Sequence, residues 1–312
     1  MVPSLYSICL DYVKNHTEAI SSLENIPFDI VHTVLNHLFT TSASLNANIL
    51  SLSSLSCSDE LRKLDVPWTR LVLSRAAIGS SALPGLMVIS EKFPRFITCL
   101  QLGRSGLGDD DLYLLRTMTN LQVLDLSHNP NITDRGASYL VNMATLSFPH
   151  GMHYLEDVHL TDLPDLTDKC LKHIIKLNVS YLDLSRTGIT EEVAIHFLTR
   201  RGGYRKLAPI PSLRTLALFA PRINPKLHRF VRDISHVYDI GLLPPRPAPI
   251  FEEEGKEQPK PTLQFRRMNQ VKNQAQKRAT LADLPNRSTK KQRPTTTDYL
   301  AMFEKEMLNF NN

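Results

Sequence analysis

This chain repeats itself. Residues 121–140 read LQVLDLSHNPNITDRGASYL. Leu121, Leu124 and Leu126 point to one side, as a short strand buried on one face requires. Asn129 supplies a turn, Ile132 plugs the interior, and Thr133-Asp134 stands where a helix begins. The same grammar returns as FITCLQLGRSGLGDDDLYLL from Phe96, LEDVHLTDLPDLTDKCLKHI from Leu155 and VSYLDLSRTGITEEVAIHFL from Val179. Weaker copies run from Leu71 and from Leu213. Strand anchors fall at Leu100, Leu124, Val158, Leu182 and Leu216, so the spacings are 24, 34, 24 and 34. A unit this short cannot bury its apolar face alone, so successive units must stack.

A spacing of 24 lies within the roughly 20–29-residue range of the leucine-rich repeat, and 34 reads as a repeat with an insertion. The expectation is an α/β fold, a leucine-rich repeat solenoid of about five to six repeats. Residues 1–60 are expected to form a helical cap, 61–238 the repeats, and 239–312 a disordered basic tail with a short terminal helix.

Charge separates these regions. The net charge is +5, and residues 244–312 hold 13 Lys and Arg against 8 Asp and Glu, leaving 23 of each sign in residues 1–243. A near-neutral body argues against direct nucleic-acid binding. No apolar run approaches the ~18 residues of a spanning helix, so no membrane partner is expected. The opening MVPSLYSICLDYVKNH has no basic lead and contains Asp11, unlike a secretory signal. Cys9, Cys57, Cys99 and Cys170 are scattered without CxxC spacing and read as reduced thiols.

In the first block, Leu5, Ile8, Cys9, Tyr12, Val13, His16, Ala19, Ile20 and Leu23 recur at steps of three and four. That is the stripe of one helix over residues 4–23. Pro27 suits a first helical position, and Ile30, Val31, Val34, Leu35, Leu38 and Phe39 form the apolar face of a second helix. Such stripes pack on each other, on the end of the repeats or on a partner.

Residues 4–13, SLYSICLDYV, place a small residue, Leu5, three residues, Cys9, three residues and the aliphatic Val13 in succession. This resembles the elongin C-binding box. With Ile26-Pro27-Phe28 and the apolar second helix, residues 2–40 resemble the elongin A family domain. The resemblance implies that Leu5, Ile8, Cys9, Val13, Ile26, Pro27 and Phe28 bind a partner, elongin C and through it a cullin. Leu5 would anchor a helix laid into a groove. The order SLYSI, VISEK at 88–92 and LDLSHNPNITDRG from Leu124 also resembles the leucine-rich repeat-containing protein 42 family, over residues 4–190.

Catalytic signatures are missing from the sequence. Asp109-Asp110-Asp111, Asp134 and Asp168 recur at helix starts, where carboxylates cap amides and favour the dipole. His150, His153 and His159 have no carboxylate or cysteine at ligand spacing. No phosphate loop or nucleophile elbow appears. Neither an enzyme, a metal nor a cofactor is expected. Trp68 is expected to pack at the junction before the first repeat. Residues 40–56 are Ser-rich, a loop or a short third helix. Residues around 146–153 and 200–211 are expected to protrude, the latter as a basic loop that touches a partner or is merely solvated.

From about residue 240 the chain is Pro-rich, then acidic, then basic, and cannot form a core. Lys290, Lys291 and Arg293 make a candidate nuclear import signal, which places the protein in the nucleus and/or cytoplasm. Leu300, Phe303, Met307 and Leu308 fall on one side of a terminal helix that docks on its own body or on a partner. The function expected is a substrate-recognition adaptor of an elongin C/cullin-type ubiquitin ligase, holding an unknown protein substrate on the repeat surface. The alternative is a nuclear leucine-rich repeat scaffold that recruits no ligase.

Overall fold

The computed structural model describes residues 4–41, 44–64, 66–73, 82–146, 151–207, 225–239 and 262–268. The chain divides into units of residues 1–268 and 269–312, and every described residue belongs to the first.

Four helices precede the first strand. Helix α1 (Leu5–Asn15) starts where the Ser4 hydroxyl accepts from the Ser7 amide at 3.2 Å. It stops far short of the helix expected over 4–23. His16 turns its Nδ1 onto the Tyr12 carbonyl at 2.9 Å and stacks on the Tyr12 ring, and Thr17–Ala19 continues as a 3-10 turn. Helix α2 (Phe28–Thr40) buries Val31, Val34, Leu35, Leu38 and Phe39. The Ser-rich segment resolves into α3 (Ala47–Ser56), capped by the Asn46 side chain, followed by α4 (Ser58–Lys63). Trp68 packs at the junction, stacked on Phe39 with centroids 5.5 Å apart and tilted on Phe96 at 5.6 Å.

Each leucine-anchored segment then contributes a three-residue strand. β1 (Arg70–Val72), β2 (Cys99–Gln101), β3 (Val123–Asp125), β4 (Asp157–His159) and β5 (Tyr181–Asp183) lie parallel in chain order. Leu71, Leu100, Leu124, Val158 and Leu182 stand in one register row, each at most 1% exposed. Crossovers run through α5 (Leu83–Lys92), the 3-10 helix Asp109–Thr117, α6 (Asp134–Thr145) and α7 (Leu171–Ile174). Parallel strands require such crossovers.

The far edge departs from the expectation. α8 (Glu191–Gly202) ends on Gly203, whose φ of 66° is the left-handed cap that glycine adopts without strain. Tyr204–Lys206 then forms strand β6 instead of a protruding basic loop, because Tyr204 turns inward and is buried. Helix α9 (Pro225–Asp239) does not extend the array; it packs on α5, burying Leu227 and Val231, and Lys226 Nζ donates to the Leu38 and Thr41 carbonyls that end α2. Strand β7 (Gln264–Arg267) then inserts antiparallel between β5 and β6, giving the order β1-β2-β3-β4-β5-β7-β6. Residues 262–268 are thus part of the sheet and not of a disordered tail. Leu263 and Phe265 supply the physical reason, since both are buried and Phe265 extends the inward row beside Leu182. The anchor expected at Leu216 and the terminal helix around Phe303 lie outside the described residues.

Candidate functional site

Helix α1 presents its apolar residues in two directions. Leu10 and Val13 pack against the core, while Leu5 is 76%, Ile8 51% and Tyr12 65% exposed, and Cys9 is exposed beside them. At 100° per residue, positions 5, 8, 9 and 12 share one face. The stripe expected to include Val13 is therefore split. Val13 belongs to the face that holds α1 to the body, and Tyr12 completes the outward ridge. Ile26 and Pro27 are exposed just before α2, whereas Phe28 is half-buried and packs on the core. Lys290, Lys291 and Arg293 lie outside the described residues.

The second surface is the outward face of the sheet. Residues flanking the buried row turn to the other side of the sheet, Cys99, Val123, Asp157 and Tyr181 in one line and Gln101, Asp125, His159 and Asp183 in the next; Cys99, Tyr181, Asp125 and Asp183 are buried there, and the other four are half-buried. Two of the acids here are held by hydrogen bonds and a third is shifted by burial. Asp125 accepts from the Ser127 amide at 2.9 Å, and Asp183 accepts from the Ser185 amide and hydroxyl and from Gln264 Nε2 at 3.0 Å. Burial pushes the Asp157 carboxyl above the usual range, with Glu156 reinforcing it against His159 and Arg266.

Two ladders fix the spacing of this surface. Asn129 does more than turn its own loop: its Oδ1 accepts from the Ser105, Gly106 and Leu107 amides, and its Nδ2 donates to the Leu102 and Leu126 carbonyls. Ser105 and Thr187 occupy the same place in their repeats and donate to the Leu102 and Leu184 carbonyls. The recurring aspartates were expected to cap their own helices, and Asp111 does so, accepting from the Gly108 amide at 2.8 Å; the others reach further. Asp109 accepts from Thr133 N and Oγ1 at 2.8 and 2.7 Å, Asp134 from Thr167 at 2.7 and 2.6 Å, and Asp168 from Thr190 at 2.8 and 2.9 Å. Each carboxylate clamps the threonine that opens the next repeat, and Thr133 and Thr167 cap their helices.

A third row follows the strands. Arg104, His128, Asp162 and Arg186 all have φ between 56° and 59°. Asp162 meets Arg186 Nε at 2.7 Å and His128 Nδ1 at 3.0 Å. Burial holds His128 below its ordinary value, and Arg104 and Arg186 work with burial against the pull of Asp162. The thiols behave as core groups where buried: burial and the nearby Glu60 push Cys57 up to about 11, and burial raises Cys170 further. Among the described residues no three His, Cys, Asp or Glu side chains gather as a metal site, and no helix is long and apolar enough to cross a membrane.

A family model for the Leucine Rich repeat matches residues 117–141. That span runs from the end of the 3-10 helix through β3 into α6, the region where the Asn129 and Asp109 ladders meet. A leucine-rich repeat points to protein–protein interaction. No curated protein matches the chain.

Proposed function

We propose that this chain is a non-enzymatic substrate receptor. Helix α1 recruits elongin C, and through it a cullin-type ubiquitin ligase, while the outward sheet face holds a protein substrate. The observation that carries this reading is the outward ridge of Leu5, Ile8, Cys9 and Tyr12 on a helix already anchored through Leu10 and Val13. A helix held in this way offers anchors at i, i+3 and i+4 with little left to order on binding. The resemblance of residues 4–13 to the elongin C-binding box and of 2–40 to the elongin A family domain supports it.

On the same reading the five parallel strands are successive turns of a leucine-rich repeat solenoid like that of the leucine-rich repeat-containing protein 42 family. Residues 1–60 form its cap. Ile26 and Pro27 extend the exposed surface, and Val13 and Phe28 act from the body side.

The test pairs capture with stability. Leu5→Ala should weaken elongin C capture by about thirtyfold, ~2 kcal/mol, and Cys9→Phe should block it by overpacking the groove. Both variants should melt like the parent, since neither side chain is buried in the free chain. A parent chain that never captures elongin C sinks the ligase reading and leaves a scaffold that works through its sheet face alone.

A further inference from the structure

Strands β6 and β7 bring two arginines together. Arg205 stands directly opposite Arg266 in the antiparallel register, and both are exposed. Their neighbours Tyr204 and Phe265 turn into the core, so the two guanidinium groups share the outward face. Directly opposed residues on a sheet hold their Cβ atoms about 4.5–5.5 Å apart, and like charges so placed destabilise the pair. Neither side chain has a hydrogen-bond or ion-pair partner among the described residues.

Nearby cations are engaged. Arg267 donates to the Gly202 carbonyl and to Asn178 Oδ1, Arg186 pairs with Asp162, and Lys206 pairs with Glu191. The unpaired arginines are the exception at this end of the sheet.

A second observation lies two residues away on the same strand and face. Gln264 is 2% exposed, and its Nε2 donates to the Asp183 carboxylate, which can only accept. Its Oε1 is buried without a donor. A buried acceptor of this kind calls for a missing partner, and a backbone N–H reaches it only if docking on this face opens the side chains that cover Gln264.

The charge pattern selects the occupant. Asp183 and Asp157 border the arginines on β5 and β4. An extended acidic run crossing these strands would be repelled there, whereas a single compact dianion on β6 and β7 would not. We propose that Arg205 and Arg266 bind the phosphate of a phosphorylated serine or threonine in an extended segment of a partner protein, with Gln264 accepting from that segment's backbone. A phosphate monoester carries about −1.5 to −2 charges and three acceptor oxygens, enough to bridge both guanidinium groups and relieve their repulsion. This rests on the outward sheet face being the partner surface, and not on α1.

The experiment uses the full chain and three degenerate peptide sets that differ only at a central position: phosphoserine, serine or glutamate. Fluorescence anisotropy should show the phosphoserine set binding about tenfold or more tighter than the serine set, weakening as salt rises. Arg205→Thr with Arg266→Thr should remove that preference while the melting temperature stays level or rises, because the substitutions relieve repulsion. Equal binding of phosphoserine and serine sets, a preference that survives the double substitution, or glutamate as good as phosphoserine would each overturn the proposal. Elongin C capture, read in the same preparation, separates the outcomes: capture without phosphate preference removes this inference alone.

Discussion

Gly136 offers a test whose sign runs against local propensity. It is the third residue of α6, where glycine-to-alanine normally gains about 1 kcal/mol of helix stability. In this fold a Cβ at Gly136 would fall well inside contact of Asp109 Oδ1 and within 3.0 Å of Ile132 Cγ2. Asp109 cannot step aside cheaply, because both of its oxygens hold Thr133. Hydrogen bonds to a charged group are worth about 1.5–3 kcal/mol net, and those to a part-buried threonine belong at the lower end. Displacing the clamp should therefore outweigh the helical gain and leave Gly136→Ala about 1–2 kcal/mol less stable. Urea unfolding of the parent, Gly136→Ala, Asp109→Ala and the double variant measures this. The double variant should be more stable than the sum of the single losses, since the clash disappears with the carboxylate. A Gly136→Ala protein as stable as the parent, or additive losses, would refute the account of the clamp.

Three further outcomes are measurable, the first two from the structure and the last from the sequence alone. Phe265→Ala should cost about 3–5 kcal/mol by opening a cavity, and a chain ending at residue 261 should melt several degrees lower, since β5 and β6 lose the strand between them; an unchanged melt would remove β7 from the folded sheet. Asp157→Asn should raise stability at neutral pH, because burial holds the folded carboxyl above its ordinary value, so its charged form opposes folding once pH rises through the unfolded value. That gain should fade toward pH ~3, where both states are protonated, and a pH-independent difference between the two melts would dismiss the burial penalty. Replacing Lys290, Lys291 and Arg293 should move a fluorescent fusion out of the nucleus; a parent fusion that is never nuclear ends the import reading.

The repeat period was legible from residue order because burial on one strand face forces it. Leu100, Leu124, Val158 and Leu182 had to share a side, and parallel stacking then aligns them. The apolar stripe of α1 was legible too, but not its division. Only packing decides that Leu10 and Val13 turn inward while Leu5, Ile8 and Tyr12 are left outside. The aspartates were visible as a recurring residue type, yet the partners of Asp109, Asp134 and Asp168 lie 22 to 33 residues away, beyond the reach of a local capping pattern. Strand β7 was hidden for the same reason. TLQFRRM sits in a segment too polar to suggest a core, and Gln264–Arg267 within it become a strand only because β5 and β6 present unpaired edges to it. The Arg205–Arg266 pair follows from that insertion: 61 positions separate the two residues in the chain, and only the register of a strand contributed from afar sets them face to face.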